Sequence, residues 1–379
     1  YDHEKIESLK KDIDFTIKNK FCTECAIESN NIDKGELKET IKSLGDSMVL
    51  AGTKKRVKIH IHTNTPTKFF KICGAYGKVV DRKVDDMTKQ EHTVHHTGAS
   101  GIAIVVDSGA DIPIEYENEI QVVPVRYSFG NQQHIDKVTQ TTKEFYQQMK
   151  IDSNHPKTSQ PTPGDFKKIY NFISSHYNSI ISIHLSKKVS GTFQSGLNAS
   201  KNIKVKNIKV IDSYSASVGL GLLAIYAVDL RQSGKSYNQI VKAIEVEKDN
   251  IQLFLLLNDL TYIARGGRLP NEIKTIANLF RLTPVLGNKK GKISARGVLF
   301  GKKKRVEKFV KFLGSKIKED KKYHIMIAHA NDFKNGEKLL NLLLTKHRNI
   351  TKHYLVELGG GLGAHAGPGG LAIGIQERE

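Results

Sequence analysis

From Gly101 onward, apolar strand-like runs alternate with capped helical segments, and this alternation constrains the fold more than any other feature of the chain. Ile102 to Val106 is a continuous apolar run, as a strand buried on both faces requires, and Asp107-Ser108-Gly109-Ala110-Asp111 turns the chain at its carboxyl end. Thr162-Pro163-Gly164-Asp165 supplies a helix cap, a first-turn proline and an early acid, and Phe166, Ile169, Tyr170 and Ile173 follow as the buried stripe. Strands expected at Ile180 to Leu185 and Ile208 to Ile211 alternate with helices near Thr192 to Asn198 and Ser215 to Leu230, and Ser236 with Gln239 forms a capping box for another. This order predicts a parallel α/β sheet. Past Phe254 the pattern is less regular, with strands around Gly291 to Ala295 and His324 to His329 and helices between, which predicts a second, mixed α/β lobe.

The first 95 or so residues follow a different order. Phe21 to Glu28 reads as a strand, Lys34 to Leu44 as a helix, and Ser47 to Ala51 and Val57 to Thr63 as a pair of strands. Pro66 to Tyr76 follows as a helix with proline in its first turn, and Lys78 to Val84 closes the series. The order βαββαβ is the ferredoxin-like arrangement. Small polar residues at His95-His96-Thr97-Gly98-Ala99-Ser100 mark the boundary. The domains expected are therefore 1–97, a small α+β domain, then 101–250 and 251–379 as the two lobes of an α/β domain.

At 379 residues the chain is long enough for several cores. Tyr1 is no initiator methionine and the opening residues have no apolar signal core, so the chain is expected to begin inside a longer protein. No apolar run approaches the ~18 residues of a membrane span. Three cysteines argue against a disulfide framework and for a reducing cytoplasm. The formal charge is +20, and much of it lies between Lys289 and Lys322. A basic face of that size attracts anionic membrane, nucleic acid or an acidic protein, or reflects a lysine-rich composition alone.

Three polar stretches stand out: Thr158-Ser159-Gln160-Pro161, Ser190-Gly191-Thr192 and Gly363-Ala364-His365-Ala366-Gly367-Pro368-Gly369. Ligands of open parallel sheets sit beyond the carboxyl ends of strands, where Asp107-Ser108, Thr158-Ser159 and Ser186 to Thr192 are expected to converge. Hydroxyls of Thr158, Ser159 and Ser190 can donate to an anion there, the last from a helix N-terminus, although any one of them can equally serve as a cap. His365 lies in a glycine-dense run, Gly359 to Gly370, read as a binding loop whose glycines exclude a buried apolar role. Arg265-Gly266-Gly267-Arg268 is a turn able to contact an anion or a partner.

Taken in order, Val105-Val106-Asp107-Ser108-Gly109-Ala110-Asp111-Ile112-Pro113, Lys157-Thr158-Ser159-Gln160-Pro161, Val189-Ser190-Gly191-Thr192-Phe193-Gln194-Ser195, Val210-Ile211-Asp212-Ser213, Arg265-Gly266-Gly267-Arg268 and the His365 stretch resemble the DegV family, from about Gly101 to Ile375. Members are fatty-acid-binding carriers of the bacterial fatty acid kinase system. The resemblance implies two α/β lobes, a long-chain fatty acid buried in a tunnel, and a carboxylate held by Thr158, Ser159, Ser190 and His365, with Arg268 added. Ser186-Lys187-Lys188 departs from the family's small, serine-rich start to the second motif. Gly109 replaces a hydroxyl residue, and Gly360-Gly361-Leu362 replaces a more apolar approach to the histidine.

Ahead of this, Phe21-Cys22-Thr23-Glu24, Gly45-Asp46-Ser47-Met48-Val49-Leu50 and Val57-Lys58-Ile59-His60-Ile61-His62-Thr63 resemble the middle domain of the kinase itself, which follows a dihydroxyacetone-kinase-like nucleotide domain. On a strand His60 and His62 share a face that Cys22 on a neighbouring strand can reach, a set suited to zinc, whereas Cys25 would face away. A surface histidine pair is the plainer alternative. No general base is evident beside this set, so a structural or docking metal is expected. The two resemblances together imply a natural fusion whose nucleotide domain, upstream in the same chain or on a separate one, phosphorylates the carried fatty acid to acyl phosphate for phospholipid synthesis. Neither a P-loop nor an acidic magnesium cluster is present, so this chain by itself is expected to bind and not to phosphorylate.

Two other readings use the same residues. Ser190, His365 and Asp107 could form a hydrolase triad, although Ser190 is in no nucleophile elbow. The basic segment could bind nucleic acid, but no motif with interleaved aromatics accompanies it, and transient contact with an anionic membrane surface suits a lipid carrier better.

Overall fold

The computed structural model describes residues 18–88, 101–269, 282–301 and 303–378. The boundary expected at His95 to Ser100 lies outside them, as does the opening segment. The chain divides into two compact units, one ending at His96 and the other beginning at Thr97.

The first unit runs β1 (Phe21–Glu28), α1 (Lys34–Ile41), β2 (Gly45–Gly52), β3 (Arg56–Thr63), α2 (Pro66–Tyr76) and β4 (Lys78–Asp86). Its strands form one antiparallel sheet in the order β2-β3-β1-β4, the ferredoxin-like topology. Alternation separates the faces. Cys25 and Ile27 on β1 and Val57, Ile59 and Ile61 on β3 pack beneath Leu37 and Ile41 of α1 and Phe69, Phe70 and Cys73 of α2. Cys22, Glu24, His60 and His62 occupy the other face, half-buried.

The second unit contains β5 (Ile102–Asp107), β6 (Ile120–Val123), β7 (Arg126–Phe129), β8 (Gln132–Ile135), α3 (Thr142–Ile151), β9 (Lys157–Ser159), α4 (Pro163–Ser174), β10 (Ser179–His184), α5 (Thr192–Ser200), β11 (Asn207–Asp212), α6 (Ser217–Gln232) and α7 (Tyr237–Glu247). It continues with β12 (Gln252–Leu256), α8 (Leu260–Arg265), β13 (Leu282–Lys289), β14 (Lys292–Phe300), α9 (Arg305–Gly314), β15 (Lys322–His329), α10 (Phe333–Lys346), β16 (Ile350–Glu357), α11 (Gly360–Ala366) and β17 (Leu371–Arg378).

Strands β11-β10-β5-β6 make a parallel sheet, and every residue of β5 and β10 is buried because helices cover both faces. Helices α4 and α5 pack on one side through Phe166, Tyr170, Ile173 and Ala199, and α6 on the other. The capping boxes of α4 (Thr162 with Asp165) and α7 (Ser236 with Gln239) are both formed. A mixed sheet, β14-β13-β12-β17-β15-β16, is the frame of the second lobe, with only β15 and β16 parallel. Helices α9 and α10 cover its far face through Phe309, Leu313, Leu339 and Leu343. Helix α6 lies between the two sheets, touching Ile104 and Ile183 of one and Met326 and Ala372 of the other, which is why nearly all of it is apolar.

Two sequence expectations change. Thr158 and Ser159 belong to an extended strand, β9, which pairs antiparallel with β7 in a small β8-β7-β9 sheet that the sequence pattern did not reveal. The glycine-dense run is no loop, since Gly360–Ala366 is helical and Gly360, Gly361, Gly363 and Ala364 are buried. A Cβ on Gly360 would lie 2.8 Å from Tyr127 and 3.0 Å from Phe145, and one on Gly363 2.6 Å from Tyr146. The glycines are there to let a helix approach aromatic side chains closely, the opposite of the role expected of them. Left-handed backbone in this run is confined to Gly367 and Gly369.

Candidate functional site

A cavity of about 360 Å³ lies where β9, the loop before α5, α8, β12 and α11 meet. All five residues assigned to carboxylate binding (Thr158, Ser159, Ser190, Arg268 and His365) line it. Much of the remaining wall is aliphatic. Leu253 and Leu255 of β12, and Leu257 just past its end, line it at the two-residue period of a strand, joined by Ile263, Ile293 and Leu371. The sequence pattern assigned no element to the β12 segment; its alternation was the available signal. The volume falls within the ~300–1,000 Å³ of small-molecule sites, and apolar walls with a few convergent polar groups are their usual make-up.

At the polar end, Thr158 Oγ1 and His365 Nε2 are 2.9 Å apart. His365 Nδ1 is buried with no hydrogen-bond partner among the described residues. It faces Gly266, where an added Cβ would sit 2.1 Å from it. Burial, then the positive charges of Arg268 and His155, push the His365 imidazole down to about 4, so it is neutral near pH 7. His155, absent from the sequence reading, stacks near Tyr262 with ring centroids 5.7 Å apart.

Ser190 Oγ meets Thr192 Oγ1 at 2.8 Å and accepts from the Thr192 amide at 3.3 Å, so it holds the turn ahead of α5, whose N-cap is Gly191, while lining the cavity. Gln160, next to Ser159, donates to Ser195 Oγ at 3.2 Å and lies over Gly191, where a Cβ would come within 2.0 Å of its amide oxygen. Arg268 is exposed, and its Nε donates to the Val189 carbonyl at 3.2 Å while a terminal nitrogen donates to the Gly266 carbonyl. It thereby ties the turn after α8 to the loop before α5.

The hydrolase triad is not assembled. Asp107 is fully buried, accepts from the amides of Gly109 and Leu185 at 3.0 and 2.9 Å, and faces His184 Nδ1 at 3.1 Å. His184 Nε2 continues to Ser182 Oγ at 2.6 Å, and Ser182 to the Tyr170 hydroxyl at 2.8 Å. The carboxylate is thus committed to a buried structural network, whereas Ser190 meets Thr192 and His365 meets Thr158.

In the first unit, one potential ligand atom each from Cys22, His60 and His62 lies within 4.8 Å of the others. Register explains the grouping, because Cys22 pairs with His62 across β1 and β3 and His60 is two residues along the same face. Cys22 Sγ is 3.9 Å from His60 Nδ1. Zinc bonds of ~2.0–2.3 Å require tetrahedral ligand atoms ~3.5 Å apart, so small side-chain rotations would close the set, and the N/N/S chemistry fits that ion. Two carboxylates flank it, contrary to the expectation of none: Glu24 Oε1 is 3.6 Å from His60 Nδ1, and Asp46 Oδ1 is 3.6 Å from His62 Nδ1. Against the opposing push of burial, Lys83 and Lys58 hold the Glu24 carboxyl below its ordinary value. Cys25 lies in the core under the sheet.

Among the described residues no helix is long and apolar enough to cross a membrane. The model of the DegV family matches residues 101–378, and that of the FakA-like middle domain of fatty acid kinase matches residues 18–94. Protein DegV of Bacillus subtilis is 28% identical over 275 residues, covering 72% of this chain and 98% of that protein. The solved structure of a fatty-acid-binding DegV family protein from Thermus thermophilus matches with a TM-score of 0.68 and 26% identity over 73% of this chain and 99% of its own. DegV of Bacillus subtilis, described as a fatty acid binding protein, matches with a TM-score of 0.67 and 28% identity over the same shares. From the sheet order to the motifs that meet at the cavity, the second unit carries the family's pattern along nearly the whole length of these relatives, and the chain belongs to the DegV family, with a FakA-like middle domain ahead of it.

Proposed function

We propose that this chain is a fatty acid carrier that presents its ligand's carboxylate for phosphorylation. The observation that supports the reading is the cavity itself, a largely aliphatic wall that Thr158, Ser159, Ser190, His365 and Arg268 also line, with Thr158 and His365 in contact. A long-chain acid would lay its hydrocarbon against β12 and its carboxylate at those donors, gaining ~0.8 kcal/mol per buried methylene. The relatives from Thermus thermophilus and Bacillus subtilis are described as fatty acid binding, which supports the same ligand class here.

The middle-domain match supports a partner: a dihydroxyacetone-kinase-like nucleotide domain, in the same chain or in another, that transfers phosphate to the carried acid and so feeds phospholipid synthesis. In this reading residues 1–97 belong to the kinase side, 101–250 and 251–379 are the carrier's lobes, and the chain alone binds without catalysing. Cys22, His60 and His62 would hold zinc, which when bound supplies a fixed cross-link between β1 and β3. His60 and His62 present ring nitrogens to it, and Asp46 and Glu24 are placed to orient the imidazoles. The carrier works in the cytoplasm, with transient contact at an anionic membrane surface and no role in nucleic-acid binding.

Native mass spectrometry of the purified chain, followed by lipid extraction, tests the proposal. A co-purifying long-chain fatty acid, lost from a Ser190→Ala/His365→Ala double variant that keeps its thermal transition, is the expected result. A chain that stays empty when offered fatty acids refutes it and leaves the shared fold without the shared function.

A further inference from the structure

Two lysine-bearing segments far apart in sequence meet beside the cavity. The loop before α5 reads Ser186-Lys187-Lys188-Val189-Ser190, and its last two residues line the cavity wall. The hairpin between β13 and β14 reads Lys289-Lys290-Gly291-Lys292-Ile293, and Ile293 lines the same cavity. They are in contact: a Cβ on Gly291 would fall 2.4 Å from Ser186 Oγ and 3.5 Å from Lys188 Cγ. The hairpin turns on Lys290 and Gly291, with φ of 48° and 82°. Such two-residue turns favour Asn or Gly at the first position, so lysine there is carried against local preference.

All five lysines are exposed, and neither segment contains an acid. Lys187 lies 4.0 Å from Asp212 and 5.9 Å over the Phe193 ring; the other four make no ion pair with a described residue. Arg268 adds its charge to the same loop, its Nε against the Val189 carbonyl. The result is a cationic rim at the carboxylate end of the cavity, built partly from Lys187-Lys188, where the chain departs from its family.

We propose that this rim, Lys187, Lys188, Lys289, Lys290 and Lys292, is a docking surface for an anionic phospholipid bilayer, set so that the cavity faces the membrane from which fatty acid is taken. The inference rests on the carrier reading and specifies where its membrane contact lies. Charge complementarity favours this occupant. Lysine is a compact, mobile point charge that meets a lipid surface without fixed geometry, and each one near such a surface adds to the binding. A fatty acid, moreover, partitions into bilayers.

The test measures sedimentation of the whole chain with phosphatidylglycerol vesicles and with neutral phosphatidylcholine vesicles. The expected result is binding to the anionic vesicles alone, released by salt as the Debye length shrinks. Changing all five lysines to glutamine should weaken that binding by more than about a hundredfold. A control removing equal charge elsewhere, K167Q/K201Q/K235Q/K318Q/K334Q, should keep most of it. Equal loss in both variants would show that binding follows net charge alone and overturns the proposal. Full vesicle binding by the rim variant also overturns it and assigns the lysines to a protein partner. Fatty acid supplied in solution separates this from the carrier reading. The rim variant should fill as the native chain does, whereas a native chain that docks on vesicles yet never holds fatty acid upholds the surface and refutes the carrier.

Discussion

Adjacent glycines in Arg265-Gly266-Gly267-Arg268 give a clean test of whether the Thr158–His365 pair holds the ligand. Gly266 has φ −70° and ψ −7°, a conformation open to any residue, but an added Cβ would lie 2.1 Å from His365 Nδ1 and 2.6 Å from Cε1. Non-bonded contacts of ~3.5 Å require the imidazole to retreat by about 1.4 Å, enough to break its 2.9 Å contact with Thr158. A hydrogen bond to a charged group contributes about 1.5–3 kcal/mol, so Gly266→Ala should weaken fatty acid binding roughly 10- to 150-fold. The fold should barely register the change, because alanine's gain of about 0.4–1 kcal/mol offsets the lost neutral hydrogen bond. Gly267 is the opposite case: φ is 71° and nothing lies within 4 Å of an added Cβ. Gly267→Ala should cost about 1–2 kcal/mol of stability through its backbone and leave affinity alone. Displacement of a fluorescent fatty acid, read beside thermal unfolding, distinguishes the two. Native affinity in a folded Gly266→Ala protein would falsify the placement of the carboxylate at the Thr158–His365 pair.

Thr158→Ala and Ser190→Ala should each weaken binding by a comparable 10- to 150-fold if their hydroxyls donate to the carboxylate, and Ser190→Ala should also lower the melting temperature by a few degrees because it removes the acceptor of the Thr192 amide, a loss of about 1 kcal/mol. His365 titrates at about 4 when folded against 6.5 otherwise, so as pH falls through that window the unfolded chain takes up a proton that the folded chain refuses. Its contribution to stability is complete above about pH 6.5 and declines by about 3 kcal/mol toward pH 4, a slope that His365→Gln should flatten in denaturant titrations at successive pH values. A bound carboxylate would favour the protonated ring, so ligand binding near pH 5 should take up protons, measurable by calorimetry in buffers of different ionisation enthalpy. Cys22→Ser and His60→Ala should each abolish stoichiometric zinc and the zinc-dependent rise in unfolding temperature; a native chain unmoved by zinc refutes that site.

How far the sequence disclosed the architecture depended on how local each signal was. Ile102–Asp107 and Ser179–His184 are buried throughout because both faces are covered, which the apolar run Ile102 to Val106 and the isoleucines of the second strand announce, and the capping boxes of α4 and α7 are written within four residues of chain. Helix α11 was illegible, since glycine opposes helix formation by about 1 kcal/mol per residue and only the distant Tyr127, Phe145 and Tyr146 make its absence of side chains useful. Asp107 misled for the same reason. Its partner His184 lies 77 residues away, and nothing near Asp107 distinguishes a buried acceptor from a ligand-facing acid. Thr158, Ser159 and Ser190 could be brought together by the expectation that strand ends converge, whereas Arg268 and His365 joined them only through motif resemblance; the contacts involved, Thr158 with His365 and Arg268 with Val189, cross 207 and 79 residues.

In the proposed carrier the carboxylate must be held and yet react, and the polar end of the cavity would suit that demand. His365 is neutral, and either tautomer leaves Nδ1 unpartnered against Gly266. An orphaned N–H is the costlier defect, so the proton belongs on Nε2, donated to Thr158 Oγ1. The threonine hydroxyl then keeps its own hydrogen for the ligand. Arg268 meanwhile is spent largely on the carbonyls of Val189 and Gly266. A carboxylate held here would meet mainly neutral hydroxyl donors, each weaker than the fork of an arginine, and would retain more of the electron density that attack on a phosphoryl group demands. Affinity can be left to the hydrocarbon, because at ~0.8 kcal/mol per methylene the tail outweighs any single head-group bond. In the proposed carrier, neutral donors at the head and aliphatic walls along the tail would thus divide reactivity from retention, and a lysine or a free arginine in place of Thr158 would trade the first for a retention that such a carrier would not need.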